Sequence, residues 1–464
     1  MVKKWEQWYK GGVADFHNYT VYNGDAKISC TRNTLNMGKK VCEDWADLLM
    51  NEKVKIHVDN GKGETYGFVN EVFDDNKFWV KINEAQEYKA ALGTTAYIPY
   101  IVGATVTEAG INGGAVKIDY ITAENIFPLS WENGKITECA FAGEKSIDGK
   151  IYVYLQMHTI QSGLYVIENL LFETLENSGA ELRIVEDITS VKGFENVAAR
   201  VETGSDKRQF VIDRLNTANN ISRNNPLGLP VFASAVDILK GIDLVYDSYN
   251  NEFLLGKKRV MVKAEATKFS DSKPVFDPND LTYYRLPADM NDEPFIKEID
   301  MKIRADEHEK ALQIMLNLLS AKCGFGENHY QFEKSAVKTA TEVISQNSAM
   351  FRSLKKHELI LEDALIELVR IIIRLGNIIR GNLNEDAAVT VDFDDSVIED
   401  SAQIKAQATV EYQTGLIDAV EYFVKVYNLT EDEAAAKVAK MEARKANGGS
   451  QAENETGIDW ASIT

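Results

Sequence analysis

Apolar positions in this chain change their period near Asn225. Before it, LNMGKKVCEDWADLLMNEKVKIHVD predicts an amphipathic helix with Leu35, Val41, Trp45, Leu48 and Leu49 inward, then a strand over Lys53–Asp59. KFWVKI, TAYIPYIV, AVKIDYI, IYVYLQMH and GLYVIENLLFE read as further strands, some separated by the turn signals Asn112-Gly113 and Asp148-Gly149. Residues 1 to about 225 therefore read as an α+β domain with much antiparallel sheet.

Beyond Asn225 the period lengthens. Pro230 suits the first turn of a helix, and Val231, Ala235, Ile238, Ile242, Val245 and Tyr249 follow at 4-3-4-3-4 spacing. Met301, Ala305, His308, Leu312, Met315 and Leu319 repeat that spacing, and Gly324 stands where a helix stop is expected. Each segment would be about 30–37 Å long as a helix. Between them lie Pro274, Pro278, Pro287 and Pro294, with KRVMVKAEA and PFIKEID as strands around a loop-rich centre. The pattern predicts a helical hairpin with a small subdomain inserted in it. Such a layout leaves helix surface open in one chain, and identical neighbours in a ring would bury it.

After a short connector, Thr339 and Glu342 have capping-box spacing at the head of a helix of about ten turns, ending at Gly381-Asn382. AVTVDFD then reads as a strand. Helices are expected over Val397–Gln413, Leu416–Tyr427 and Thr430–Lys445, the last with Thr430 and Glu433 at capping-box spacing. The polar end NGGSQAENETGIDWASIT reads as a loose tail.

Charge narrows the function. Asp and Glu number 71 against 51 Lys and Arg, a net −20, and from Asn384 onward 17 acidic and 6 basic residues carry −11 of it. This balance argues against a protein that grips nucleic acid, but not against one that nucleic acid slides past. No apolar run reaches the roughly 18–20 residues of a membrane span, and MVKKWEQWYKGG lacks the apolar core of a secretion signal. Cys30, Cys42, Cys139 and Cys323 are widely spaced, as expected for reduced cytoplasmic thiols.

The sequence offers little catalytic chemistry. His308-Glu309 and His357-Glu358 open HExxH, but Leu312 and Leu361 occupy the second histidine position. Asp392, Asp394 and Asp395 resemble the start of a calcium loop, yet Val397 and Gln403 stand where glycine and glutamate are needed. Gly61, Gly63 and Gly67 fit neither the dinucleotide nor the P-loop spacing, and no GxSxG occurs. No cofactor or metal is expected. Lys257, Lys258 and Arg259 form the most basic short run, either a solvated strand end or a contact for a partner or a DNA phosphate.

Four ordered blocks, NMGKKVCEDWADLLMNE (36–52), NPLGLPVFASAVDILKGIDLVYDSYNNEFLLGKKRV (225–260), KTATEVISQNSAMFRSLKKHE (338–358) and VDFDDSVIEDS (391–401), carry a resemblance over most of the chain to portal proteins of tailed bacteriophages. These are head-to-tail connectors, and the likeness is to those of long-tailed phages of Gram-positive hosts. The resemblance implies an α+β fold with a mixed wing over 1–229, stem helices over 230–256 and 301–323, and a clip over 257–300. The connector, long helix and strand of the wing would occupy 324–396, a helical crown 397–446 and a tail 447–464. It implies stem packing through Ile238, Ile242, Val245, Leu312, Met315 and Leu319, and clip contacts through Lys257, Lys258 and Arg259. The channel-narrowing tunnel loop would lie at about 324–338, with Glu333, Lys334, Ser335, Val337 and Lys338 as candidates; a break near 345–356 is the alternative position.

Function follows as a second expectation of the resemblance: a non-enzymatic ring of twelve subunits in the virion, twelve or thirteen when isolated. It would sit at one capsid vertex, assembled in the host cytoplasm, and pass double-stranded DNA during packaging and ejection. Partners would be terminase, head-completion or adaptor proteins, and the major capsid and scaffolding proteins, with no membrane. The alternatives are a metal-dependent nuclease or hydrolase with its site scattered over the first 225 residues, and a capsid adaptor without a channel.

Overall fold

The computed structural model describes residues 1–23, 26–107, 110–174, 181–256, five strands between 259 and 299, and residues 302–326, 329–331, 340–393, 401–427, 429 and 431–446. The chain is α+β and divides into two compact units, one of residues 1–334 and 349–393, the other of 335–348 and 394–464.

In the first unit, α1 (Val2–Lys10) and α2 (Ala14–His17) lead into a two-stranded ribbon, β1 (Asn18–Asn23) with β2 (Ala26–Thr31). Helix α3 (Met37–Leu49) buries Val41, Cys42, Trp45, Ala46 and Leu49 at helical spacing, while Leu48 stays half-buried. Strand β3 (Lys55–Val58), α4 (Glu64–Asp75) and α5 (Phe78–Leu92) follow.

KFWVKI, expected as a strand, belongs to α5. Lys77 turns the chain at φ 49°, and Phe78 and Ile82, one helical turn apart, are both fully buried. The short apolar run fits either period, and packing of Phe78 on Phe73, with ring centroids 4.0 Å apart, selects the helix.

Strands β4 (Thr94–Val102), β5 (Thr105–Thr107), β6 (Gly110–Asn112) and β7 (Ala115–Thr122) precede a long meander of β8 (Ile126–Glu132), β9 (Lys135–Ile147), β10 (Lys150–Gln161) and β11 (Leu164–Thr174). Its hairpins turn at Asn133-Gly134, Asp148-Gly149 and Ser162-Gly163, each pair with both φ values positive, the geometry that matches strand twist in two-residue turns. Short strands β12 (Leu182–Ile184) and β13 (Arg200–Glu202) pair with β11, completing an antiparallel six-stranded sheet. β14 (Val211–Arg214) joins β4 and β7 in a second sheet. Ile98, Ile126, Cys139, Phe141, Tyr165 and Phe210 form the core between these strands.

Helix α6 (Val236–Leu255) begins later than the expected residue 230. Pro230 instead sits in turns ahead of it: its carbonyl accepts from Ala233 N at 3.0 Å, and Val231 N donates to Ala90 O at 2.9 Å, tying this stretch to α5. After α6 come β15 (Arg259–Lys263), β16 (Phe269–Ser270), β17 (Lys273–Pro274), β18 (Tyr283–Leu286) and β19 (Ile296–Ile299). β15 is central in a three-stranded sheet, parallel to β18 and antiparallel to β19.

Helix α7 (Ala305–Lys322) returns along α6, and Gly324 follows it at φ 88°. The 40-residue α8 (Ala340–Ile379) ends before Gly381 and Asn382, both with positive φ. Its second half buries Leu361, Leu365, Leu368, Ile371 and Ile372, and the Arg208 guanidinium pairs with Glu367 through Nε and Nη2. Strand β20 (Val389–Asp392) pairs with β3.

The second unit holds α9 (Ser401–Gln413), α10 (Ala419–Tyr427) and α11 (Glu431–Ala446). The capping pairs expected at Thr339 and Thr430 involve residues outside those described. A reciprocal one not anticipated opens α10: Asp418 N donates to Glu421 at 2.9 Å and Glu421 N to Asp418 at 2.7 Å.

One close approach locks α5 to the segment before α6. Gly93 has φ 89°, and a Cβ there would stand 2.5 Å from the Gly228 carbonyl oxygen. Gly93→Ala is expected to cost roughly 2–4 kcal/mol of stability, seen as a lower midpoint in urea unfolding.

Candidate functional site at the helical hairpin

The α6–α7 hairpin is built from the inside outward. At its inner end Asp243 and Asp247, one helical turn apart, are buried acids. Asp243 accepts from Leu35 N at 2.8 Å and Thr34 Oγ1 at 3.1 Å, and lies 3.1 Å from His17 Nε2. Asp247 accepts from Asn33 N at 2.9 Å and from Asn251 Nδ2 at 3.0 Å. Neither residue stood out in the sequence. The available signal was a pair of acids at i and i+4 inside an apolar helix, a spacing that places both on one face.

The two helices touch along a short seam. Met315 Sδ lies 3.2 Å from where a Cβ on Gly241 would be, so Gly241 admits the methionine. The rings of Tyr249 and His308 meet at a tilt of 55°, with centroids 5.6 Å apart. At the outer end Glu252 accepts from Arg304 N at 2.8 Å and Arg304 Nε at 2.7 Å, and lies 3.1 Å from His308 Nε2. The Arg304 backbone donor, with His308, lowers the Glu252 carboxyl to about 2.

The expectation that this seam waits for sister copies needs correction. Ile242 and Leu319 are already completely buried within one chain, and Ile238, Val245, Leu312 and Met315 are half-buried. The apolar positions left open on the hairpin are others: Leu244 at 50%, Phe253 at 50%, Leu254 at 61%, Ile314 at 60% and Leu318 at 47% exposure. Heptad spacing marked the stripe that pairs the two helices, and the broader apolar surface lies beside it.

Of the other expected site residues, Lys257, Lys258, Glu333, Lys334, Ser335, Val337 and Lys338 lie outside the described residues. Arg259 opens β15. The connector root ahead of them is pinned: Tyr330 Oη donates to Asp44 at 2.7 Å, and Phe325 stacks between Trp45 and His329. Trp45 Nε1 donates to Cys323 O at 2.9 Å, fixing the end of α7.

Both HE pairs are structural. His308 belongs to the hairpin contact, and His357 lies edge-on to Trp45 and accepts from Asn216 N at 3.1 Å through Nδ1. Burial lowers His357 to about 3, and it does the same to His158, wedged between Phe141 and Phe210. Asp392, the first residue of the apparent calcium loop, lies 3.2 Å from His57, and its partners Asp394 and Asp395 are outside the described residues. Among the described residues no group of three metal-ligating side chains converges, and no helix is long and apolar enough to cross a membrane. The four cysteines are free. The deepest charge cluster ties α5 to β14: Lys89, Gln86 and Tyr97 all donate to Asp213, at 3.0, 2.9 and 2.6 Å, and burial pushes the Lys89 ammonium down.

The chain thus presents a helical hairpin with an inserted sheet on an α+β body. Residues 1–449 match the family described as phage portal protein, SPP1 Gp6-like, and the chain belongs to that family. No curated protein matches it. Among solved structures it is similar to "Neck of native GTA particle computed with C12 symmetry" and "Neck of empty GTA particle computed with C6 symmetry". Each is 10% identical with TM-score 0.40, over 84% of this chain and 89% of that chain.

Two outcomes follow from burial. Ile242→Asp should cost roughly 3–5 kcal/mol and unfold the single chain, whereas Leu318→Asp should leave the urea midpoint within about 0.5 kcal/mol of wild type. His158 and His357 are neutral when folded but take up a proton near pH 6.5 when unfolded. Their stabilisation is complete above that pH and lost as it falls toward 3, by roughly 2–4 kcal/mol per histidine. Urea midpoints recorded from pH 7 to pH 4 should therefore fall, and less steeply for His158→Phe.

Proposed function

We propose that this phage portal protein assembles into a ring whose central channel passes double-stranded DNA during packaging and ejection. The observation that carries the reading is the family match over residues 1–449. The ring would contain twelve subunits in the virion, sit at one capsid vertex after assembly in the host cytoplasm, and have no enzymatic activity. Residues 236–255 and 305–322 would be its stem and the strands of 259–299 its clip, where terminase and later the head-completion proteins dock. Major capsid and scaffolding proteins would surround the wing, and the tunnel loop would fall at about 324–338.

Two physical features support the reading. The open apolar positions Leu244, Phe253, Leu254, Ile314 and Leu318 give neighbouring hairpins something to bury. The net charge of −20 suits a channel wall, because each phosphate neutralised by a wall cation adds affinity and slows a sliding polyanion. Translocation energy would come from a separate ATPase.

Purified protein should run near 620 kDa, about twelve copies of a 51.9 kDa chain, show a central hole in negative stain, and leave DNA intact in magnesium. Deleting 264–294 should preserve the particle and abolish terminase docking. A monomer, a particle without a hole, or magnesium-dependent cleavage of DNA would each defeat the reading.

A further inference from the structure

A cleft of about 740 Å³ lies on the first unit, away from the hairpin seam. One wall is the β8–β9 turn with Trp131, Asn133 and Gly134; the other is Arg214 at the end of β14 and the loop carrying Arg223. A Cβ at Gly134 would stand 3.8 Å from an Arg214 guanidinium nitrogen, so the turn lies directly beside that side chain. Neither Arg214 nor Arg223 makes an ion pair or side-chain hydrogen bond with any described residue. Two guanidiniums without a partner among the described residues stand beside an indole, and Glu132 is the only carboxylate among the described residues that line the cleft, on a chain of net charge −20.

Trp131, which lines the cleft, is 42% exposed, and open apolar side chains lie close to the lining residues in sequence: Phe127 and Leu129 on β8 are each 47% exposed, and Ile221, two residues before Arg223, is 48% exposed. A nucleic acid backbone would satisfy the arginines and leave these uncovered. An extended polypeptide that alternates acidic and apolar residues satisfies both, and tryptophan with arginine is the composition of protein-binding hot spots. Adding a strand to the edge of β8 is disfavoured, since Pro128 lacks an N–H and the ladder is irregular from Pro128 to Trp131. Recognition would run through side chains.

We propose that this cleft docks an acidic, apolar-containing segment of a partner protein, its carboxylates on Arg214 and Arg223 and its apolar groups against Trp131 and its neighbours. The assignment does not depend on ring formation.

The probe is the fluorescein-labelled peptide Asp-Leu-Glu-Phe-Asp-Val, titrated with the full chain and read by fluorescence polarisation. Binding should weaken at least about tenfold between about 50 and 300 mM salt. Arg223→Glu, on an exposed loop, should weaken it about tenfold with an unchanged thermal melt, and Trp131→Ser should do likewise. A peptide with serine at each apolar position should bind about tenfold less tightly, and one with lysine for each acid should not bind. Equal binding by Arg223→Glu, or by the serine peptide, would overturn the proposal. So would a single-stranded oligonucleotide that binds more tightly than the peptide and displaces it, which would make the cleft a nucleic acid site.

Discussion

The hairpin depends on two carboxylates taken out of water on the inner face of α6. Asp243 and Asp247 would be costly there alone, since a buried charge without partners loses its hydration with no return. Donors from Asn33, Thr34 and Leu35, and the ring of His17, surround them. The segment between β2 and α3 has no regular structure because its polar groups are spent on α6. This makes the hairpin directional: its inner end is fixed by buried carboxylates with several backbone and side-chain donors, and its outer end by Arg304 and His308 on the half-buried Glu252.

Much of this architecture could be read from residue order. The turn at Asp148-Gly149 and the glycine stops at Gly324 and Gly381 each have a local cause and appear where that cause put them, and the 4-3-4 stripes run along helix from Ile238 to Tyr249 and from Ala305 to Leu319. Failures arose where tertiary contact outweighed local signal. KFWVKI has the composition of a strand, but Phe78 stacks on Phe73 and the run coils. Pro230 has the look of a helix start, yet the neighbouring Val231 amide is claimed by Ala90.

The candidate site was less legible than the fold. Ile242 and Leu319 were found by spacing, but spacing does not say which chain covers them. Asp243, Lys89 and Asp213 were invisible because their partners are far away in sequence: Asp213 meets Lys89 across 124 residues, and Asp243 meets His17 across 226. Arg214 and Arg223 look like ordinary surface cations until the β8–β9 turn closes opposite them.

The pairing of β20 with β3 has a consequence for biosynthesis. Val389 pairs opposite Val58, so β3 must wait for a strand made more than three hundred residues later. At bacterial or eukaryotic elongation rates the ribosome needs on the order of tens of seconds to bridge that gap. Through that interval β3 has an unsatisfied edge, and the α3 tryptophan lacks the late-arriving His357 that closes over it. A nascent chain therefore cannot complete this part of its body until β20 has been translated.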